Sequence, residues 1–282
     1  MGRRLHALKR PATAALALAA AMLAGCERYE TLAVVPPTGM KTHWLVDFTY
    51  VDDPATGVAT MGHLVVFNPG PRAAALDVTV YYEDREPARF GLEASPGAST
   101  ESNYASWPVK PGERFALGVE SSEPVVAQAT IGWNNVGNDS RPTARARDGG
   151  RPREAATSYL AIPALAERWY LADGIVLDAP SALWVRESEW AVLLNPGDRP
   201  ARVDLALFFR RFTREHTVEI APRRVRAVLM DDLVTLRNKH YGVRIASDVP
   251  IAAQWRRTVA GYDSPEPMAF WSVPLAPMAR IP

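Results

Sequence analysis

"HLVVFNPGPRAAALDVTVYY", residues His63–Tyr82, returns without a gap as "WAVLLNPGDRPARVDLALFF", residues Trp190–Phe209. Similarity over such a distance within one chain is the mark of a duplicated structural unit. The correspondence continues downstream, where "FALGVESSEPVVAQA" (Phe115–Ala129) matches "YGVRIASDVPIAAQW" (Tyr241–Trp255) and sets Gln128 opposite Gln254. Upstream, Trp44 with Asp47 pairs loosely with Trp169 and Asp173; at the other end "SYLAIPA" (Ser158–Ala164) answers "FWSVPLA" (Phe270–Ala276). Two homologous domains are the simplest account.

The repeated segments have the period of strands. Leu76, Val78, Val80 and Tyr82 alternate with Asp77, Thr79, Tyr81 and Glu83, and Val203, Leu205, Leu207 and Phe209 alternate with Arg202, Asp204, Ala206 and Phe208. A period of two buries one face of a sheet. Asn-Pro-Gly between two such runs predicts a type II turn, with Pro setting φ and Gly supplying positive φ, and hence a hairpin at the start of each copy. "SSEP" and "SDVP" predict equivalent turns, each placing a proline at the start of the next strand. No long helical period occurs, although "MDDLVTLRNKH" has room for a turn or two. The expected fold is all-β: two tandem antiparallel β-sandwich domains related by an internal repeat.

The repeat also sets the boundaries. "NNVGNDSRPTARARDGGRPREAATS" has the polar, Gly- and Pro-rich composition of a linker. Because "SYLAIPA" matches the last strand of the second copy, however, this stretch falls inside the first domain, as a flexible insertion over 135–157. Domain 1 is then 41–164 and domain 2 is 165–282. The insertion's arginines (Arg141, Arg145, Arg147, Arg151 and Arg153) keep a loop solvated; contact with anionic headgroups is the alternative.

The chain begins with Arg3, Arg4, Lys9 and Arg10, followed by the apolar "PATAALALAAAMLAG", too short to span a bilayer and flanked by positive charge. This is the plan of a secretory signal peptide, expected over 1–25. "LAGC" (Leu23–Cys26) resembles the lipobox of bacterial lipoproteins, and its cysteine is the chain's only one. Lipidation of Cys26 accounts for an unpaired thiol exported to an oxidising compartment. It makes Cys26 the first mature residue and 26–40 a tether. The membrane is then a partner, and the location is the cell envelope, facing the periplasm. Glu27, in place of an aspartate, favours the outer membrane over the inner.

Charge is nearly balanced, with 32 Lys and Arg against 31 Asp and Glu, and 48% of residues are hydrophobic. This is a globular chain without the basic bias of nucleic-acid binding. No G-x-S-x-G elbow occurs, the mature histidines His43, His63, His216 and His240 are scattered without ligand spacing, and no phosphate loop is visible. Glu83, Asp84 and Glu86 read as a solvated turn rather than a carboxylate pair for glycoside hydrolysis. The expectation is a protein with no enzymatic activity, cofactor or metal.

"YYEDREP" (Tyr81–Pro87), together with "VESSEPVVAQ" (Val119–Gln128) and "IASDVPIAAQWRR" (Ile245–Arg257), resembles the sensory rhodopsin transducer family. The resemblance implies a small oligomer-forming β-sandwich that binds small molecules or carbohydrates or couples to a membrane receptor. The family's His-Glu before the first core strand corresponds to Met61-Gly62 in one copy and Ser188-Glu189 in the other. A second family histidine is absent from both copies. Glu189 carries over, as does Arg257 from the Q-x-x-R pattern, where the first copy has Ile131.

Strand parity adds Asn195, Gln254 and Arg256 as polar groups of a surface ligand site, the other reading being that the asparagines and glutamines stabilise turns and sheet edges. Trp133, Trp184, Trp190 and Trp255 lie near polar residues at strand ends, as glycan-binding aromatics do, although most of them are expected in the core. Glu83 and Asp84 correspond to Arg210 and Arg211, so equivalent strand ends carry opposite charge. That pattern predicts a face-to-face, pseudo-twofold contact between the domains, unless both pairs face water. The functional expectation is a non-catalytic, membrane-anchored lipoprotein that senses a ligand, such as a glycan, or binds an envelope protein. The alternative is a structural accessory subunit of an envelope complex.

Overall fold

The computed structural model describes residues 41–50, 52–53, 58–134, 154–179, 185–261 and 267–277. Cys26, the signal, the tether, Trp184, the side chain of Trp133 and the insertion's arginines lie outside them. The insertion's last residues belong to a strand that begins at Glu154.

The strands of the first half are β1 (Thr42–Thr49), β2 (Asp52–Asp53), β3 (Val58–Asn68), β4 (Ala74–Tyr82), β5 (Ala88–Ala94), β6 (Ala98–Asn103), β7 (Arg114–Ser121), β8 (Val126–Asn134) and β9 (Glu154–Leu160). Those of the second are β10 (Ala166–Ile175), β11 (Asp178–Ala179), β12 (Val185–Asn195), β13 (Ala201–Phe209), β14 (Phe212–Ile220), β15 (Arg224–Leu229), β16 (His240–Gly261), β17 (Pro267–Pro274) and β18 (Ala276–Pro277). The first half forms two antiparallel sheets, β1-β7-β4-β5 and β2-β3-β8-β9, with β6 on β3. In the second half β10-β16-β13-β14 and β11-β12-β16-β17 follow the same order, with β15 on β12.

Alternating apolar residues fill the space between the sheets: Leu45, Phe48, Leu64, Val66, Val78, Val80 and Leu117 in the first half, and Val203, Leu205, Leu207, Val243 and Ile245 in the second. Along β4 the alternation stops after Asp77, because Thr79 and Tyr81 on the opposite face are buried too. That face is covered by the second half. Val46, Tyr81, Ala116 and Ile162 join the second half's core cluster, and β1 lies on β12 and β16 while β15 lies on β4 and β7.

Three sequence expectations change. Asn-Pro-Gly is not a hairpin turn: β3 and β4 lie in different sheets, so the turn carries the chain across the sandwich. Nor is it type II, since neither Gly70 nor Gly197 has a positive φ. The Asn68 carboxamide oxygen accepts the Gly70 N–H at 2.9 Å, while its nitrogen donates to the carbonyls of Arg72 (2.7 Å) and Ala94 (3.0 Å). Asn195 holds Gly197 and Arg199 in the same way. A side-chain ring of this kind replaces the backbone turn and removes the need for positive φ.

"SDVP" is not a turn either. Where Ser122–Val125 separates β7 from β8, β16 runs unbroken for 22 residues and passes from one sheet to the other, pairing with β13 up to Ser247 and with β12 from Ala252. Finally, Trp44 faces Gly118 and Tyr170 faces Arg244, so the positional partner of Trp44 is Tyr170, and Trp169 answers His43. The extra tryptophan ring is tolerated because Gly118 has no side chain; a Cβ there would lie 2.8 Å from the Trp44 ring.

Candidate functional site

Glu189 and Arg257, on neighbouring strands β12 and β16, face each other in register. Glu189 is fully buried, which for a carboxylate demands compensation by donors. Those donors are present. One carboxylate oxygen accepts Arg257 Nε at 2.8 Å and Nη2 at 2.6 Å; the other accepts the Tyr241 hydroxyl at 2.5 Å and the Ile175 N–H at 2.8 Å. Arg257 also donates to the Asp173 carbonyl at 2.9 Å, tying β10 to β16.

Burial pushes the Glu189 carboxyl above its ordinary range, against the opposing pull of Tyr241 and Arg257. Burial likewise raises the Tyr241 phenol, which the neighbouring Glu189 charge raises further. Such a carboxylate serves as an orienting scaffold, since its oxygens are already engaged.

Around this core lies a polar rim. Ser188 Oγ donates to Asp231 Oδ2 at 2.9 Å, and Arg237 reaches the same carboxylate at 3.4 Å and donates to the Asp231 carbonyl at 2.9 Å. Asp231 sits in the helical turn Met230–Leu233. The His240 Nδ1 lies 2.6 Å from Asp173 Oδ1, both side chains being largely exposed at 72% and 62%. Buried Glu189, partly exposed Arg257 and the open His240–Asp173 pair thus run from interior to solvent.

The same positions in the first half hold a different chemistry. Gly62 faces Ile131 where Glu189 faces Arg257, and Phe48 faces Phe115 where Gly174 faces Tyr241. The Tyr104 ring occupies the space beside Gly62, where an added Cβ would run into it. Phe48 stacks on Phe115 at 5.3 Å and Trp107 crosses both. Aromatic packing therefore fills positions that are polar in the second half.

The remaining candidates are placed as follows. Asn195 is fully buried and belongs to the Asn-Pro-Gly turn rather than to a surface site. Gln254 is fully buried as well, since the first half covers this face of β16. Arg256 points into the contact between the halves, 3.2 Å from buried Asp47 and donating to Thr49 Oγ1 at 3.0 Å. Trp255 is core, while Trp190 lies with the guanidinium groups of Arg114 and Arg256 at 4.5 and 5.4 Å from its ring centroid.

The acidic tip of the first half does meet arginines, but other ones. Glu83 lies 3.9 Å from Arg226, and Glu86 accepts Arg224 Nη2 at 2.5 Å. Arg210 and Arg211 form the exposed β13–β14 turn and make no ion pair among the described residues. Asp84 is exposed also. The physical reason is that unlike sheets meet: β1-β7-β4 of the first half packs on β12, β15 and β16 of the second, so equivalent hairpin tips are not opposed. Between equivalent strands, the described contact is of β9 with β17. The reach of Arg224 and Arg226 was hidden because β15 is remote from β4 in the chain.

Residues 166–269 match the family model of the Anabaena sensory rhodopsin transducer. Among solved structures, the crystal structure of Thermotoga maritima 1070 is similar at 22% identity over 40% of this chain and 95% of that one, with a TM-score of 0.35. The Anabaena sensory rhodopsin transducer is similar at 19% identity over 38% of this chain and 95% of its own, with a TM-score of 0.29. No curated protein matches the chain.

Proposed function

We propose, from the similarity of residues 166–269 to sensory rhodopsin transducers, that the chain is a non-catalytic sensing or interaction module, held at a bacterial envelope membrane by lipid on Cys26. In this reading the second half recognises a hydroxyl-rich ligand, a glycan in the first instance, at the mouth lined by Asp173, His240 and the outer edge of Arg257. One observation carries it: the buried Glu189–Arg257–Tyr241 network opening onto exposed polar groups is built in the half that matches the family, and its positions in the other half hold aromatic packing. Guanidinium, imidazole and carboxylate groups on a rigid sheet suit hydroxyl recognition.

A second reading, a structural accessory subunit, draws support from Met61, Phe67, Val126 and Leu160, which leave 37–62% of their surface exposed on β3, β8 and β9. Apolar groups on one sheet face suit a protein partner. Titration of the protein with a panel of saccharides, read by tryptophan emission and calorimetry, separates the two. Binding that Arg257→Met abolishes supports the first. No response to any saccharide, with a stoichiometric envelope protein co-purifying from membranes, supports the second. Labelled palmitate should enter the wild-type chain and not Cys26→Ala.

A further inference from the structure

We propose that the tip of the β13–β14 hairpin is a docking element for an anionic membrane surface. The tip reads "FFRRFTR" (Phe208–Arg214), three aromatic and three cationic residues without an acid. Phe208 and Phe212 leave 42% and 39% of their surface in solvent, and Arg210, Arg211 and Arg214 are exposed. Leu236 is 41% exposed in the segment 235–239, which also contains Arg237 and Lys239 and leads into β16 beside the tip, where Gly242 pairs with Phe208 and Tyr241 packs 5.4 Å from Phe209. Of the seven large hydrophobic residues exposed among the described residues, two lie on this cationic tip and a third, Leu236, precedes the strand that pairs with it.

The geometry favours a lipid surface over a protein pocket. Phe208 lies on one face of the β14-β13-β16 sheet, and Phe209, packed against the core of the second half, stacks with Phe212 on the other at 4.8 Å. Three cations without an acid complement an anionic headgroup layer, which can take up the exposed Phe208 and Phe212 alongside them. Phenylalanine partitions into the interface while arginine stays with lipid phosphates, its charge reaching outward on a long stem. The corresponding tip of the first half has the opposite character and is occupied: Glu83 and Glu86 meet Arg226 and Arg224, and Arg85 is clamped to Glu113 at 2.9 Å. The acidic tip is paired within the molecule, whereas the arginines of the basic tip make no ion pair among the described residues.

The test uses the full chain carrying Cys26→Ala and Thr213→Cys, labelled at the tip with an environment-sensitive fluorophore, and a control labelled through Glu219→Cys at the far end of the hairpin. Phosphatidylcholine vesicles with phosphatidylglycerol should shift the tip label to the blue and leave the control unchanged; phosphatidylcholine alone should shift neither. Arg210→Glu with Arg211→Glu should weaken vesicle partition at least about tenfold, since each surface cation contributes substantially to such binding. Phe208→Ser with Phe212→Ser should remove the blue shift while leaving the circular dichroism spectrum intact. A tip label that stays in water on anionic vesicles overturns the proposal and makes an acidic protein the partner to seek. Equal shifts on neutral vesicles, or shifts indifferent to the arginines, overturn it too.

Discussion

Glu189 illustrates how a single buried charge is kept. Its native carboxyl is raised above the ordinary value of 4.5, chiefly by burial. Between about 4.5 and the raised native value the native state therefore holds a proton that the unfolded chain has released, and the group's contribution to stability falls as pH rises through that window. Relative to Glu189→Gln, the wild type should lose ground in urea denaturation as pH is increased through that window. A wild type that gains ground would mean that Arg257 and Tyr241 outweigh desolvation. Arg257→Met, which leaves the carboxylate without its cation, should cost about 3–5 kcal/mol. Glu189 and Arg257 were each marked in the amino-acid order by a family resemblance, as ligand-site residues rather than as a pair. Tyr241 and Asp231 were not, because their part depends on strand register and on a turn that returns beneath β12.

Among the elements, the Asn-Pro-Gly arches carry the most information for their length. Each buries an asparagine whose amide links the end of one sheet to the carbonyls of another. Asn195→Ala should lower stability by about 2–4 kcal/mol, because it strands more than one buried backbone group. Asn195→Asp should cost a comparable amount, because it retains the acceptor for Gly197 but sets an oxygen against the carbonyls of Arg199 and Ile220. Equilibrium denaturation reads both, and a neutral alanine variant would contradict the assignment. The recurrence of these residues in the two halves was plain from the sequence, and so was the presence of a turn. Its type was not, since Asn-Pro-Gly satisfies a backbone turn and a side-chain ring equally well, and the choice is made by the carbonyls waiting at Ala94 and Ile220.

In the whole molecule the decisive feature is the covered outer face of β1-β7-β4. Val46, Tyr81 and Ala116 lie in one buried cluster with Leu193, Leu194 and Val225, so the two halves share apolar surface. Val46→Asp should lower the melting temperature of both halves in a single shifted transition, read by calorimetry; two separated transitions in the wild type would contradict this coupling. Arg224→Glu with Arg226→Glu should have a smaller effect, since Glu83 and Glu86 remain solvated.

The all-β character, the alternation along β13 and the likeness of the two Asn-Pro-Gly segments were legible in the amino-acid order, because they arise from period two and from local turn chemistry; Glu189 and Arg257 were marked by a family resemblance, and their pairing came from strand register. Which face of each sheet is covered was not legible. The burial of Gln254, the turning of Arg256 toward Asp47 and the meeting of Arg224 with Glu86 each depend on how two sheets distant in the chain come to rest. Local periodicity is silent on that, since an outward-facing side chain has the same place in its strand whether water or another sheet lies against it.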